Sequence, residues 1–197
     1  MTRALDPIAN HLARSRAAME RAADDAAMLT SAGRIATKII SALRGGHKLL
    51  IVGNGGSAAD AQHIAAEIVG RYRQERPAYA AIALTTDTSA LTAIGNDYGF
   101  DHVFARQVEG LGTPGDVLLA ISTSGRSPSI LNALRKARER GLVTVGFTGA
   151  KGLPMGELCD ELLVAPSDDT PLIQQIHLAT AHGICEMIEA ALMQDEG

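Results

Sequence analysis

Two pairs of side chains at helical spacing, His63 with Glu67 and Gln174 with His182, are where this 197-residue chain can do chemistry. Residues four apart on a helix share a face, so His63 and Glu67 present an imidazole and a carboxylate together. Gln174 and His182 are eight apart, about two turns, and share a face of another helix. If the two helices meet, the four side chains form a nitrogen and oxygen set of the kind zinc accepts. Taken singly, each histidine also reads as an ordinary core or surface residue. His11, His47 and His102 lack such company and are read as structural.

Two loops complete the chemical inventory. Gly53-Asn54-Gly55-Gly56-Ser57-Ala58 partly mimics the glycine fingerprint of dinucleotide sites. That fingerprint also wants an acid about 20 residues on to hold a ribose. The nearest acid beyond the second strand is Asp87, too far along the chain. The glycines therefore read either as a tight strand-to-helix turn or as a loop for a small phosphate or sugar. Ser122-Thr123-Ser124-Gly125-Arg126-Ser127-Pro128 places four hydroxyls before a helix. Hydroxyls and the free N–H groups of a helix N-terminus can hold a phosphomonoester without a metal. Ser127 also suits the cap of that helix, with Pro128 in its first turn. No nucleoside-triphosphate P-loop and no serine-hydrolase elbow occurs.

These groups need a scaffold, and the hydrophobic pattern supplies one. Residues up to Gly45-Gly46 carry apolar side chains at helical spacing (Leu5, Ile8, Leu12, then Met28, Ile35, Ile39, Leu43) and read as two helices. Beyond them come five short apolar runs: Lys48–Val52, Ala80–Leu84, Asp116–Ile121, Leu142–Phe147 and Glu161–Val164. Helical patterns separate them, from Ser57 (the expected N-cap) to about Gly70, near 88–94, at 128–140, and closing over 171–193. Buried strands alternating with helices imply an α/β fold with a parallel sheet covered on both faces. One domain over 1–197 is expected, with a helical extension at 1–45 and an αβα core at 46–197. The leading helices are not needed to close the sheet, so their apolar faces are expected to pack on a neighbouring subunit. In such sheets ligands sit outside the carboxyl ends of the strands, where the polar loops fall.

Composition narrows the class. Hydrophobic residues at 46% and charged residues at 20% are globular proportions, excluding a disordered chain. Trp is absent and aromatics are 3%, so Ala, Leu, Ile and Val must build the core. A net charge of −4 without a basic run speaks against nucleic acid. No apolar stretch reaches the ~20 residues that cross a bilayer. Met1–Asp6 lacks the apolar stretch of a secretory signal. Cys159 and Cys185 match no metal or disulfide framework. A soluble cytoplasmic chain is expected.

Taken together, these segments resemble the phosphoheptose isomerases of the sugar-isomerase (SIS) domain family, over nearly the whole chain. The carriers are Gly53–Ser57, Asp60-Ala61-Gln62-His63, Glu67, Gly70-Arg71-Tyr72-Arg73 with Arg76-Pro77, Gly95-Asn96-Asp97-Tyr98-Gly99-Phe100, the Ser122–Ser127 loop, and Ile173-Gln174 with His182. The resemblance implies a flavodoxin-like three-layer αβα sandwich, a five-stranded parallel sheet, and a homotetramer with active sites between subunits. It implies conversion of sedoheptulose 7-phosphate to D-glycero-D-manno-heptose 7-phosphate, the first step toward activated heptoses for surface polysaccharide such as lipopolysaccharide. Asn54, Gly55, Gly56, Asn96 and Asp97 would line the substrate with Glu67 and Gln174. Ser122, Thr123, Ser124 and Ser127 would hold its phosphate. His63, Glu67, Gln174 and His182 would bind one zinc per subunit, and Glu67 and His182 would be the acid/base pair.

Two other readings share the fold. Replication-initiator-associating factors resemble the same family, but their loop reads S-T-R-G and they lack histidine where His182 stands. Ser124 and His182 favour the enzyme. A sugar-phosphate-sensing domain would keep the serine loop without needing His63, Glu67 and His182.

Overall fold

The computed structural model describes residues 6–193, so Leu5 of the first apolar face lies outside the described residues. Two helices lead, α1 (Asp6–Asp24) and α2 (Ala26–Arg44). Asp25 opens α2, its side chain accepting the N–H of Met28 at 2.9 Å. The alternating section follows as β1 (Leu49–Gly53), α3 (Gly56–Val69), β2 (Ala81–Ala83), α4 (Thr88–Tyr98) and α5 (Val103–Leu111). It continues as β3 (Val117–Ile121), α6 (Pro128–Glu139), β4 (Val143–Gly149), β5 (Glu161–Ala165) and α7 (Thr170–Met193).

All five strands are parallel, in the order β2-β1-β3-β4-β5. This is the flavodoxin-like order, in which successive connections run outward from β1 and β3 in opposite directions. The divergence opens a crevice at the carboxyl ends of β1 and β3, where Gly53 pairs in register with Ile121. The two polar loops start immediately after these residues.

The central strands are buried on both faces, so they read as unbroken apolar runs rather than alternating ones. Leu49, Ile51, Leu119 and Phe147 share one core with α2, α3 and α7. Leu50, Val52, Leu118 and Ala120 share the other with α5 and α6. Met28, Ile35 and Ile39 place α2 within the first core, as one of the helices that cover the sheet. On α1, by contrast, Ile8 and Leu12 point outward, 59% and 63% exposed.

Local departures from the sequence expectations have physical causes. Gly55, at φ +56°, caps α3 in place of Ser57, which is drawn into the helix and buried. Strand β2 is only three residues long, although the Leu84 N–H still reaches Ile51 O at 2.9 Å. Helix α5 was not expected. Gly99, at φ +85°, turns the chain after α4 and lets Val103, Phe104 and Val108 start a separate nine-residue helix on α6. Asp87, the acid considered above as a ribose partner, caps α4 through Ala90 N at 2.9 Å.

Candidate active site

The loop after β1 is shaped by what its glycines leave room for. A Cβ on Gly53 would lie 2.3 Å from the Ser57 carbonyl oxygen, and one on Gly56 would lie 2.3 Å from Gln174 Nε2. The bare backbone of Gly56 thus lets the Gln174 side chain cross from α7 to the N-terminal end of α3. The loop after β3 folds on its own hydroxyls: Gly125 N donates to Ser122 Oγ at 3.1 Å and Arg126 N to Ser124 Oγ at 3.3 Å. Gly125, at φ +61°, packs against the backbone of Gly152, where a Cβ would stand 2.4 Å from its oxygen.

Together the loops enclose a cavity of about 390 Å³. Asn54, Gly55, Gly56, Ser122, Thr123, Ser124, Ser127 and Gln174 all line it, as expected, joined by Ser57, Ile121 and Thr170. Asn54 Nδ2 donates to Ser127 Oγ at 2.9 Å and to Ser129 Oγ at 3.0 Å. Ser127 does stand at the N-cap of α6, but its hydroxyl makes no capping bond. Because that hydroxyl accepts from Asn54, its own proton can be donated to Ser129 Oγ, 3.4 Å away, or into the cavity. The cavity therefore gathers hydroxyls and the N-terminal ends of α3 and α6, a setting for a phosphate.

Helices α3 and α7 bring the other expected group together. His63 Nε2 lies 3.1 Å from Glu67 Oε1 and 3.0 Å from His182 Nε2. One ligand atom from each of His63, Glu67 and His182 falls within 4.8 Å of the others. Ligands of a tetrahedral zinc with bonds of about 2.0–2.1 Å stand roughly 3.3 Å apart, so the spacing fits such an ion. One turn earlier on α3, Asp60 Oδ2 is buried with no partner among the described residues. Burial raises the Asp60 carboxyl above its ordinary value, while the His63 imidazole pulls the other way.

Asn96 and Asp97 are placed elsewhere. Both are exposed on the last turn of α4, bonded to each other at 2.8 Å, and neither lines the cavity. No residue of α4 is buried.

The sequence pattern does not mark Ser129, Thr170 or Glu189, and it marks His177 without giving it a role. Ser129 is 1% exposed, and its signal was a hydroxyl on the inward side of α6. His177 stands with Gln174, Gln175 and His182 as a polar residue in the first turns of an otherwise apolar helix. It is buried against Phe147, with Nε2 at 3.1 Å from Thr148 O at the end of β4. Burial lowers its pKa from 6.5 to about 4, against the Thr148 bond that raises it. Glu189 is 3% exposed, and a lone acid on the inner side of an apolar helix was its signal. Burial opposes its charge, but hydrogen bonds from the backbone of Arg73, Tyr72 and Gln74, with the Arg76 guanidinium, hold the carboxyl below its ordinary range.

A parallel sheet in flavodoxin-like order, with hydroxyl loops and two helix N-termini at its switch point, defines an α/β domain with an anion-binding crevice. Residues 10–149 match the SIS domain pattern. The chain is 90% identical to a phosphoheptose isomerase from Bradyrhizobium sp. (strain ORS 278), over 99% of each chain. Among solved structures, a phosphoheptose isomerase from Neisseria gonorrhoeae is 43% identical with a TM-score of 0.88, covering 94% of this chain and 98% of that one. Another, from Francisella tularensis, is 36% identical with a TM-score of 0.90, over 96% and 100%. The chain belongs to the SIS domain family and, within it, to the phosphoheptose isomerases.

Proposed function

We propose that this aldose–ketose isomerase interconverts sedoheptulose 7-phosphate and D-glycero-D-manno-heptose 7-phosphate through an enediol, in heptose biosynthesis. The observation that carries the reading is the pairing of a hydroxyl-lined cavity with the convergent His63, Glu67 and His182. The phosphate sits among Ser122, Thr123, Ser124 and Ser127. Asn54, Gly55, Gly56 and Gln174 face the sugar. Glu67 takes the proton from C1 while His182 donates one to the C2 carbonyl oxygen, giving the enediol. His182 then recovers the O1 proton and Glu67 returns its proton to C2, which leaves the aldose. Each assisted transfer contributes on the order of 10²–10⁴-fold.

His63, Glu67, Gln174 and His182 would hold one zinc per subunit. When bound, that ion would supply Lewis-acid polarisation of a carbonyl oxygen. Support comes from the three convergent ligand atoms and from Gln174, two turns before His182 on α7.

The assembly is a cytoplasmic homotetramer with sites at subunit interfaces. Its support is the surface left open on one chain: α4 has no buried residue, and Tyr98 and Phe100 are 54% and 61% exposed. Met19, Met28, Leu29, Ile176 and Met187 also line an apolar groove of about 370 Å³. Asn96 and Asp97 join the site from that open face. No helix among the described residues is long and apolar enough to cross a membrane.

The test is an NMR assay of the purified protein with sedoheptulose 7-phosphate in heavy water, with and without zinc. The aldose 7-phosphate is expected, forming faster with zinc. Folded, oligomeric protein that converts nothing in either condition would overturn the assignment.

A further inference from the structure

The buried carboxylate of Glu189 serves neither the cavity nor the metal group, yet three elements meet on it. It stands seven residues after His182 on α7, about two turns along the same face. Its Oε1 accepts Tyr72 N at 2.9 Å, and its Oε2 accepts Arg73 N at 2.9 Å and Gln74 N at 3.0 Å. Arg76 Nε lies 3.2 Å from Oε1, in an ion pair whose side chains are 1% and 4% exposed. The same guanidinium donates to the carbonyls of Glu67 at 2.8 Å and Ile68 at 3.0 Å, in the last turn of α3. Glu189 and Arg76 thus tie the end of α3 and the chain at 72–76 to α7.

That tie delivers an aromatic ring to the imidazole of His182. The Tyr72 and His182 rings are stacked, with centroids 5.8 Å apart and planes inclined by 25°. The Arg73 guanidinium stands 5.1 Å from the Tyr72 centroid, and its Nη1 bonds Glu186 at 2.9 Å. His182 Nε2 meets His63, which fixes one edge of the ring but leaves rotation about that contact. A flat wall on its face removes the rotation, and proton transfer is steeply sensitive to such misplacement.

We propose that Tyr72 is a positioning residue for His182, setting the plane of the imidazole, and that Glu189 with Arg76 locks Tyr72 in place. The inference rests on the acid–base reading of His182 given above. The stack requires the ring of Tyr72 and not its hydroxyl.

The test compares Tyr72→Leu and Tyr72→Phe in the full-length, zinc-loaded enzyme, with His182→Ala alongside. For Tyr72→Leu, thermal stability and KM stay close to the parent while kcat falls roughly 10- to 100-fold. The His182 ring-proton resonances shift in the same variant, and Tyr72→Phe restores both kcat and the resonances. Glu189→Gln, if it folds, repeats the loss in kcat. A Tyr72→Leu enzyme with parental kcat, or a loss that Phe does not restore, would overturn the positioning role. If Tyr72→Leu is fully active and His182→Ala is dead, positioning falls while the acid–base reading stands. An active His182→Ala enzyme would remove both.

Discussion

His177 docks α7 onto the sheet, and its protonation sets how firmly α7 is held. Its side chain is 1% exposed, Nε2 is bonded to Thr148 O, and Nδ1 has no partner among the described residues. Folding lowers its pKa from 6.5 to about 4, so the neutral ring is the one the core accepts. The depressed value makes the contribution fully present above pH 6.5 and progressively lost as pH falls toward 4. At about 1.4 kcal/mol per pH unit, the whole span corresponds to roughly 3 kcal/mol. About 2 kcal/mol of it disappears between pH ~7.5 and pH ~5.

The perturbation is His177→Gln, which keeps a donor for Thr148 O and cannot be charged. Urea unfolding of both proteins at the two pH values, at one fixed protein concentration, isolates the residue from every other titrating group. The parent should lose about 2 kcal/mol more than the variant on acidification. Equal losses, within about 0.5 kcal/mol, would refute the account. The consequence for function is direct, because Gln174 and His182 flank His177 on the same helix.

Other outcomes follow from the site. Glu67→Gln should fold as the parent does and lose turnover, measured by product formation; near-normal turnover would remove Glu67 from the base role. Ser124→Ala should raise KM more than it lowers kcat, because the loop binds ground state and transition state alike. Gly56→Ala puts a methyl 2.3 Å from Gln174 Nε2, and only a flexible side chain has to yield. Its melting temperature should therefore stay near the parent's while kcat/KM drops roughly 10²-fold, and unchanged kinetics would show that Gln174 has no place in the cavity.

Most of the layer architecture was legible in the sequence, because a strand buried on both faces must be written as a continuous apolar run. Leu49–Val52 and Val117–Ile121 announce themselves in that way. The spacing of His63 and Glu67 fixed their common face through helix geometry alone. Local periodicity was less informative where a single backbone angle decides the outcome. The positive φ of Gly99 separates α4 from α5, and that of Gly55 moves the start of α3 ahead of Ser57. Nothing in the pattern reported those angles.

The sequence by itself determined the element types other than α5, the polar strand ends and the pairs of residues sharing a helix face, since all of these depend on neighbours a few positions apart. The tertiary structure alone decided that β1 and β3 lie side by side, bringing Asn54 to Ser127 and Ser129. It also decided that α3 meets α7, setting His63 against His182 across 119 positions and Glu189 against the backbone at 72–74. Such contacts are chosen by how whole faces pack and by where buried charges find partners, and neither is encoded in local spacing.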